Sequence, residues 1–375
     1  MKIKMYQFSL ENGWKLGEPS FEDSQQTLII AFGSKLLFEK SNLQLKVSKS
    51  HLIGCSTSGE IFEDTFNEET LSVSVLEFKN TPLKSVTVDC ENINSFDAGK
   101  KIGETLKSPD LKSIFILSEG INVNGSHLVE GINSTVSKKV KITGGLAGDG
   151  AKFQNTYIYS NTKIGSQQIR AIGFYGNKIQ VRHGSFGGWD IFGLERKITK
   201  SHENELFEID GKSALDLYKE YLGEKAKDLP LSGLFYPLQI RANDKDINPV
   251  VRTILSVNEE RKSMIFAGNV PEGYLAQLMS ANFDRIIDGA EKASEQLDLE
   301  NDKNPKFCIA ISCVGRRLIL GERVDEEIAS VFGKLPLGSH LIGFYSYGEI
   351  SPSQNGEKCS LHNQTMTVTS IDELD

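Results

Sequence analysis

Residues 50 to 61 read Ser-His-Leu-Ile-Gly-Cys-Ser-Thr-Ser-Gly-Glu-Ile, and residues 339 to 350 read Ser-His-Leu-Ile-Gly-Phe-Tyr-Ser-Tyr-Gly-Glu-Ile. Eight of the twelve positions are identical, and a ninth, Thr57 opposite Ser346, keeps a hydroxyl. The surroundings repeat as well. Each phrase follows an apolar run and a helix-like stretch: Thr27 to Phe32 with Ser34 to Val47, then Lys306 to Ser312 with Arg323 to Phe332. Each precedes a loop and a strand-like run, Leu71 to Phe78 and Leu361 to Ile371. Such a pattern marks a duplicated strand, helix, strand, bend, strand unit.

The phrase itself describes a buried strand ending in a polar turn. His-Leu-Ile suits the strand, Gly54 and Gly343 allow close backbone approach, and Gly59 and Gly348 allow positive φ. Hydroxyl-bearing side chains and a carboxylate, Glu60 or Glu349, follow. A turn of this kind can offer N–H groups to an anion while its carboxylate meets a cation, which is what a small zwitterion requires. The plainer alternative is a duplicated turn whose glutamate caps a neighbouring helix. Two copies that both keep hydroxyls between the glycines favour a site.

Outward from the repeat, the 375-residue chain is long enough for two domains. A formal charge of -8 without clustered Lys and Arg argues against nucleic-acid binding. The polar start and the lack of a long apolar stretch lead to the expectation of a cytoplasmic protein with no membrane insertion. Five scattered cysteines (Cys55, Cys90, Cys308, Cys313, Cys359) make neither a disulfide framework nor a structural zinc site.

Between the copies, short connections at Thr81-Pro82 and Gly176-Asn177 predict hairpins, the second joining Gln168 to Tyr175 with Lys178 to Ser185. A strand from Val140 to Ile142 feeds the turn Gly144 to Gly150. That turn is not a dinucleotide fingerprint, because a strand rather than a helix follows it. It is expected instead to bring Asp149 near the first Gly-Glu-Ile bend. Apolar spacing from Leu275 to Leu297 predicts the longest helix. The expected class is mixed α/β, with two pseudo-repeated domains at residues 25 to 205 and 206 to 371, each a mixed, largely antiparallel sheet flanked by helices.

With these segments placed, the sequence resembles the FIST family, sensory domains named for F-box and intracellular signal transduction proteins. The amino-terminal resemblance rests on Ile53 to Ile61 and Gly144 to Gly150. The carboxy-terminal one rests on Asp210 to Tyr218, Cys313 to Glu322, Gly343 to Pro352, and Leu361-His362-Asn363-Gln364-Thr365. The resemblance implies a non-catalytic small-molecule sensor, with amino acids and their derivatives as ligands. FIST domains are often fused to kinase, chemotaxis or cyclic-nucleotide output domains. Here both halves are FIST-like, so the implied output partner is a separate signalling protein such as a histidine kinase. Some stand-alone members are haem proteins that sense nitric oxide, which makes haem b the alternative cofactor; none is required by the amino-acid reading.

For an amino acid, Glu60 or Glu349 is expected to meet the ammonium. Turn N–H groups near Ser56, Thr57, Ser58 and Ser346, with Arg316, are expected to meet the carboxylate. Phe344, Tyr345 and Tyr347 would supply an apolar wall. Cys55, Gly59, Gly145, Asp149, Cys313, Gly348, His362 and Asn363 complete the candidate set. Closure of the two domains about the ligand would carry the signal. For haem, the axial candidates are His51, His183, His340 and His362. A minor third reading, a cysteine-dependent hydrolase, would use Cys55 with His51 or His362 as base.

Overall fold

The computed structural model of the protein describes every residue except 16, 300, 301, 303, 354 to 357 and 375. Its framework holds three copies of the repeated unit, one more than the sequence displayed. In the first, Thr27–Gly33 lies parallel to His51–Cys55 and antiparallel to Thr70–Glu77. In the second, Leu111–Ser118 stands in the same relation to Lys141–Leu146 and Gln168–Tyr175. In the third the strands are Phe307–Cys313, His340–Ser346 and Met366–Glu373. An outer strand, Lys2–Ser9, Leu83–Asp89 or Ile179–Phe186, pairs antiparallel with the returning strand of each copy.

The copies are interlocked. After its bend, each sends a short strand into the sheet of another: Glu60–Phe62 pairs with His340–Ser346, Gly348–Pro352 with Lys141–Leu146, and Ile158–Tyr159 with His51–Cys55. First invades third, third invades second, and second invades first, so the exchange closes on itself as a pseudo-threefold ring.

This arrangement explains why the central strands read as unbroken apolar runs, since both faces of each sheet are covered. Alternate residues point inward: Leu28, Ile30 and Phe32, Phe115 and Leu117, and Ile309 and Ile311 share one core cluster. The residues between them point outward to helices, as Ile29 and Ala31 do against Leu37 and Phe38. Ile114 and Ile116 meet the helices Ser95–Leu106 and Gly125–Asn133. Asn94, Asn124 and Asn282 each cap a helix by accepting a backbone N–H through the side chain.

Residues 187 to 282 are inserted into the third copy, between Ile179–Phe186 and the helix Phe283–Glu295, and form a nine-stranded sheet with its own core around Ile198, Leu206, Met264 and Phe266. The predicted long helix is shortened by this insertion. Leu275–Ser280 is a strand paired with Leu238–Arg241, and the helix starts only after Asn282. Apolar spacing misled because Ala276 and Leu278 alternate into the inserted core while the helix contributes its own stripe.

The mixed α/β class with largely antiparallel sheets flanked by helices holds. Neither predicted hairpin forms, because Thr81-Pro82 and Gly176-Asn177 are the points where one copy hands the chain to the next and the flanking strands enter different sheets. The break expected at residues 205 and 206 falls inside the strand Glu205–Ile209, which pairs with Arg196–His202. It therefore divides the sequence but not the body. No helix among the described residues is long and apolar enough to cross a membrane.

Candidate functional site

The three bends meet where the copies interlock, and within each copy a glycine lets the parallel strand that leads into the bend lie close against its neighbour. A Cβ on Gly54, Gly144 or Gly343 would lie 2.2, 1.8 or 1.9 Å from the carbonyl oxygen of Ala31, Ile116 or Ala310. Between the bends runs a closed ring of backbone hydrogen bonds. Ser58 N–H donates to the Tyr345 carbonyl at 2.9 Å, Tyr347 N–H to Leu146 at 3.2 Å, and Gly148 N–H to Ser56 at 2.9 Å. Ser56 N–H donates to Tyr157 at 2.9 Å. The expected anion cradle of turn N–H groups is thus corrected: Ser56 and Ser58 spend theirs on holding the copies together.

The two glutamates sit in matching nets. Glu60 accepts from the Thr57 hydroxyl, and from the Thr70 N–H at 3.4 Å and hydroxyl at 3.2 Å. Glu349 accepts from the Ser346 hydroxyl at 2.7 Å, and from the Thr365 N–H at 3.2 Å and hydroxyl at 2.9 Å. Burial pushes Glu60 up to about 7 and Glu349 up to about 8, against the lowering effect of these bonds. In the second copy Ile158 replaces the glutamate, and Gln168 stands in the register of Thr70 and Thr365.

Several expected site residues prove to be structural. Cys55, Gly145 and Phe344 occupy equivalent registers. A Cβ on Gly145 would lie 3.5 Å from the Phe344 ring, which itself packs 4.7 Å from that of Phe32. Cys55 is buried in the core, and that burial drives its thiol well above its ordinary pKa, away from the thiolate a nucleophile needs. Cys313 is buried and likewise pushed up. Arg316, expected to clamp a carboxylate, is 0% exposed and bonded to Glu327 at 2.7 Å, with further bonds to the carbonyls of Gly187, Gln364 and Ile286. Glu327 also accepts from the Tyr345 hydroxyl at 2.6 Å. Tyr345 and Arg316 therefore complete one internal network. Tyr347 stacks on Phe153 and bonds Asp149, whose carboxylate also staples the N–H groups of Phe153, Gln154 and Asn155. Asp149 lines the same space as the first bend and Gly148 packs against Ser58, whereas Gly145 packs against Ile311, Gly348 and Phe344. Gly348 and Glu349 are enclosed in the sheet of the second copy.

Two clefts remain beside these nets. The first, of about 1130 Å³, opens at the carboxyl ends of the parallel strands Thr27–Gly33 and His51–Cys55, where the chain leaves to a helix from one and to another sheet from the other. Such divergence points favour ligand sites. Ser56, Thr57, Gly59, Glu60, Glu68, Glu69 and Thr70 line it from the first copy, Asp149, Lys152, Asn155 and Tyr157 from the second, and Arg317 from the third. Lys35 lies 4.8 Å over the Tyr157 ring, and Arg317 lies 4.8 Å over Phe66 while bonding Glu68 and the Ser58 carbonyl. Both signs of charge therefore face one space.

The second cleft, of about 640 Å³, lies between the inserted sheet and the third copy and is bordered by His183, Phe186, Trp189, Gln239, Val250, Met279 and His362. Burial drives both histidines down to about 4, so both are neutral near pH 7. Asn363 is fully buried, with neither amide atom partnered. The residues present do not fit haem. His340 is engaged by Glu63 at 2.8 Å, and His51 does not line this cleft. The unpartnered nitrogens of His183 and His362 are shielded, and no Lys or Arg among the described lining residues stands ready for propionates.

Arg317, Lys35, Lys152, Tyr157 and Trp189 were missed as site residues. Thr70 and Thr365 had a readable signal, because Glu69-Thr70-Leu71 and Gln364-Thr365-Met366 hold the same place in their copies, with Glu69 and Gln364 both at positive φ.

Comparison with known proteins places two family models on this chain, the FIST N domain over residues 27–212 and the FIST C domain over residues 214–352. An uncharacterised protein of Methanocaldococcus jannaschii is 24% identical over 385 residues, covering 91% of this chain and 73% of its own length.

Proposed function

Because the chain belongs to the FIST family, whose domains are associated with sensing small ligands in signal transduction, we propose that it is a non-catalytic sensor whose first cleft binds an amino acid or a related small zwitterion. The observation that carries this reading is the charge pattern of the cleft. Lys35, Lys152 and Arg317 face the same space as Glu60, Glu68 and Glu69. A ligand carboxylate pairs with the cations, and its ammonium with the Glu60 wall, where a bound cation draws the raised pKa of Glu60 down and completes its ionisation. Phe8, Leu37 and Tyr157 supply apolar surface for a side chain.

The interlocked copies argue against rigid closure of two domains as the signal. The ligand instead bridges loops from all three copies and orders the segments around Glu68 and Lys152. A separate cytoplasmic signalling protein, a histidine kinase or another output protein, reads that surface.

A thermal-shift panel of amino acids tests the proposal. At least one should raise the melting temperature of the wild-type protein, Glu60→Gln should abolish the rise, and Glu349→Gln, outside the cleft, should preserve it. Absence of stabilisation by every amino acid rejects the reading.

A further inference from the structure

One loop, residues 149 to 155, borders two cavities. Asp149, Lys152 and Asn155 line the first cleft, whereas Phe153 lines a smaller pit of about 260 Å³ between the second copy and the inserted sheet. Tyr347, from the third copy, is another wall of the pit. Ile121, Phe153 and Leu255 gather around it although they are 39%, 43% and 42% exposed. Apolar side chains collected in the open mark surfaces that proteins use for contact.

The loop is tied firmly at its ends and lightly in its middle. Gly150 N–H donates to the Thr57 carbonyl at 3.2 Å, the Ser58 hydroxyl to the Gly150 carbonyl at 2.7 Å, and Tyr157 N–H to the Ser56 hydroxyl at 2.9 Å. Both ends are therefore fixed to the first bend. Residues 151 to 155 are all exposed. The Asp149 carboxylate holds them by accepting the N–H groups of Phe153, Gln154 and Asn155 at 2.8, 2.9 and 2.8 Å. Tyr347 adds a ring stacked on Phe153 at 4.3 Å and a hydroxyl that accepts the Phe153 N–H at 3.2 Å. Against these contacts stands the backbone of Phe153 itself, at a φ of +53°, a left-handed conformation unfavourable for a bulky side chain.

We propose that this loop is a relay: an occupant of the first cleft that touches Asp149, Lys152 and Asn155 selects the closed loop, holds Phe153 against Tyr347 and so fixes the apolar surface around the pit. The inference rests on the amino-acid reading of the cleft and adds where its occupancy is felt. Selection follows from differential affinity, because the three groups come together around an occupant only while the loop is closed. Linkage makes the effect reciprocal. Whatever frees Phe153 from Tyr347 weakens binding in the cleft, although neither residue lines it.

The standard amino acids are screened by thermal shift, and the one giving the largest rise is titrated by calorimetry. Phe153→Ala removes the stack, and Tyr347→Phe keeps the ring but removes the hydroxyl. Each should weaken binding about three- to tenfold. Phe153→Ala, at an exposed position, serves if the Tyr347 variant fails to fold. Tyr345→Phe, in the Glu327 network and outside the loop, should destabilise the fold yet leave binding unchanged, which separates the relay from general loosening. In wild-type protein the same amino acid should slow hydrogen exchange at the Phe153, Gln154 and Asn155 amides roughly threefold or more. Wild-type affinity in either loop variant, an equal loss in Tyr345→Phe, or loop exchange unaltered by a bound amino acid overturns the relay and leaves the amino-acid reading standing. Stabilisation by no amino acid rejects that reading and the relay with it.

Discussion

Replacing Glu349 by glutamine should remove much of the pH dependence of this protein's stability. The side chain is wholly enclosed, and burial raises its pKa from the ordinary 4.5 to about 8. The folded state therefore holds the proton more tightly than the unfolded chain. Its contribution to stability is complete below pH 4.5 and is lost as pH rises through about 8. Each pH unit separating the two pKa values corresponds to about 1.4 kcal/mol, so the whole interval amounts to ~5 kcal/mol, an upper limit because local relaxation lessens it. Between pH 6 and 8 the wild-type protein should lose ~2 to 3 kcal/mol relative to the variant. Glutamine copies the protonated carboxyl in shape, keeps an acceptor for Ser346 or the Thr365 N–H, and turns its amide toward the Thr365 hydroxyl. Urea denaturation followed by circular dichroism at several pH values measures the difference directly. Parallel stability curves for wild type and Glu349→Gln across this range would refute the assignment of a raised pKa to Glu349.

Two substitutions test the framework itself. Arg316→Leu leaves Glu327 charged and enclosed among Tyr345 and Ser312, and should cost ~3 to 5 kcal/mol in urea denaturation; Arg317→Ala, whose ion pair with Glu68 is partly exposed, should cost under ~1 kcal/mol. Gly343→Ala places a Cβ against the Ala310 carbonyl and should prevent soluble expression or cost more than ~3 kcal/mol, whereas Gly13→Ala, at a φ of +64° with open space around it, should cost about 1 kcal/mol by the same assay.

The legibility of the fold followed from where selection for packing acts. The glycines of the bends are visible because a backbone-to-backbone contact admits no substitute, and this contact occurs three times, at Gly54, Gly144 and Gly343. The third copy escaped detection because the axis of a threefold arrangement cannot hold three identical large side chains. Cys55, Gly145 and Phe344 share that space by differing in size, and the sequence likeness of the second copy disappears with them. Ile158 in place of a glutamate removed the other shared signature.

The sequence by itself determined the mixed α/β class, the family, the bends as the organising feature, and the two glutamates at equivalent places in them, since all of these lie within short spans whose residue types have few alternative uses. Tertiary structure alone decided which sheet each strand joins and which polar group faces a cleft. Arg316 and Arg317 are neighbours on one short helix, yet one is sealed against Glu327 and the other reaches the first cleft. Strand pairing between distant copies sets that outcome, and a pairing partner over 250 residues away, as Phe344 is to Glu60, leaves no mark in the local pattern of either strand.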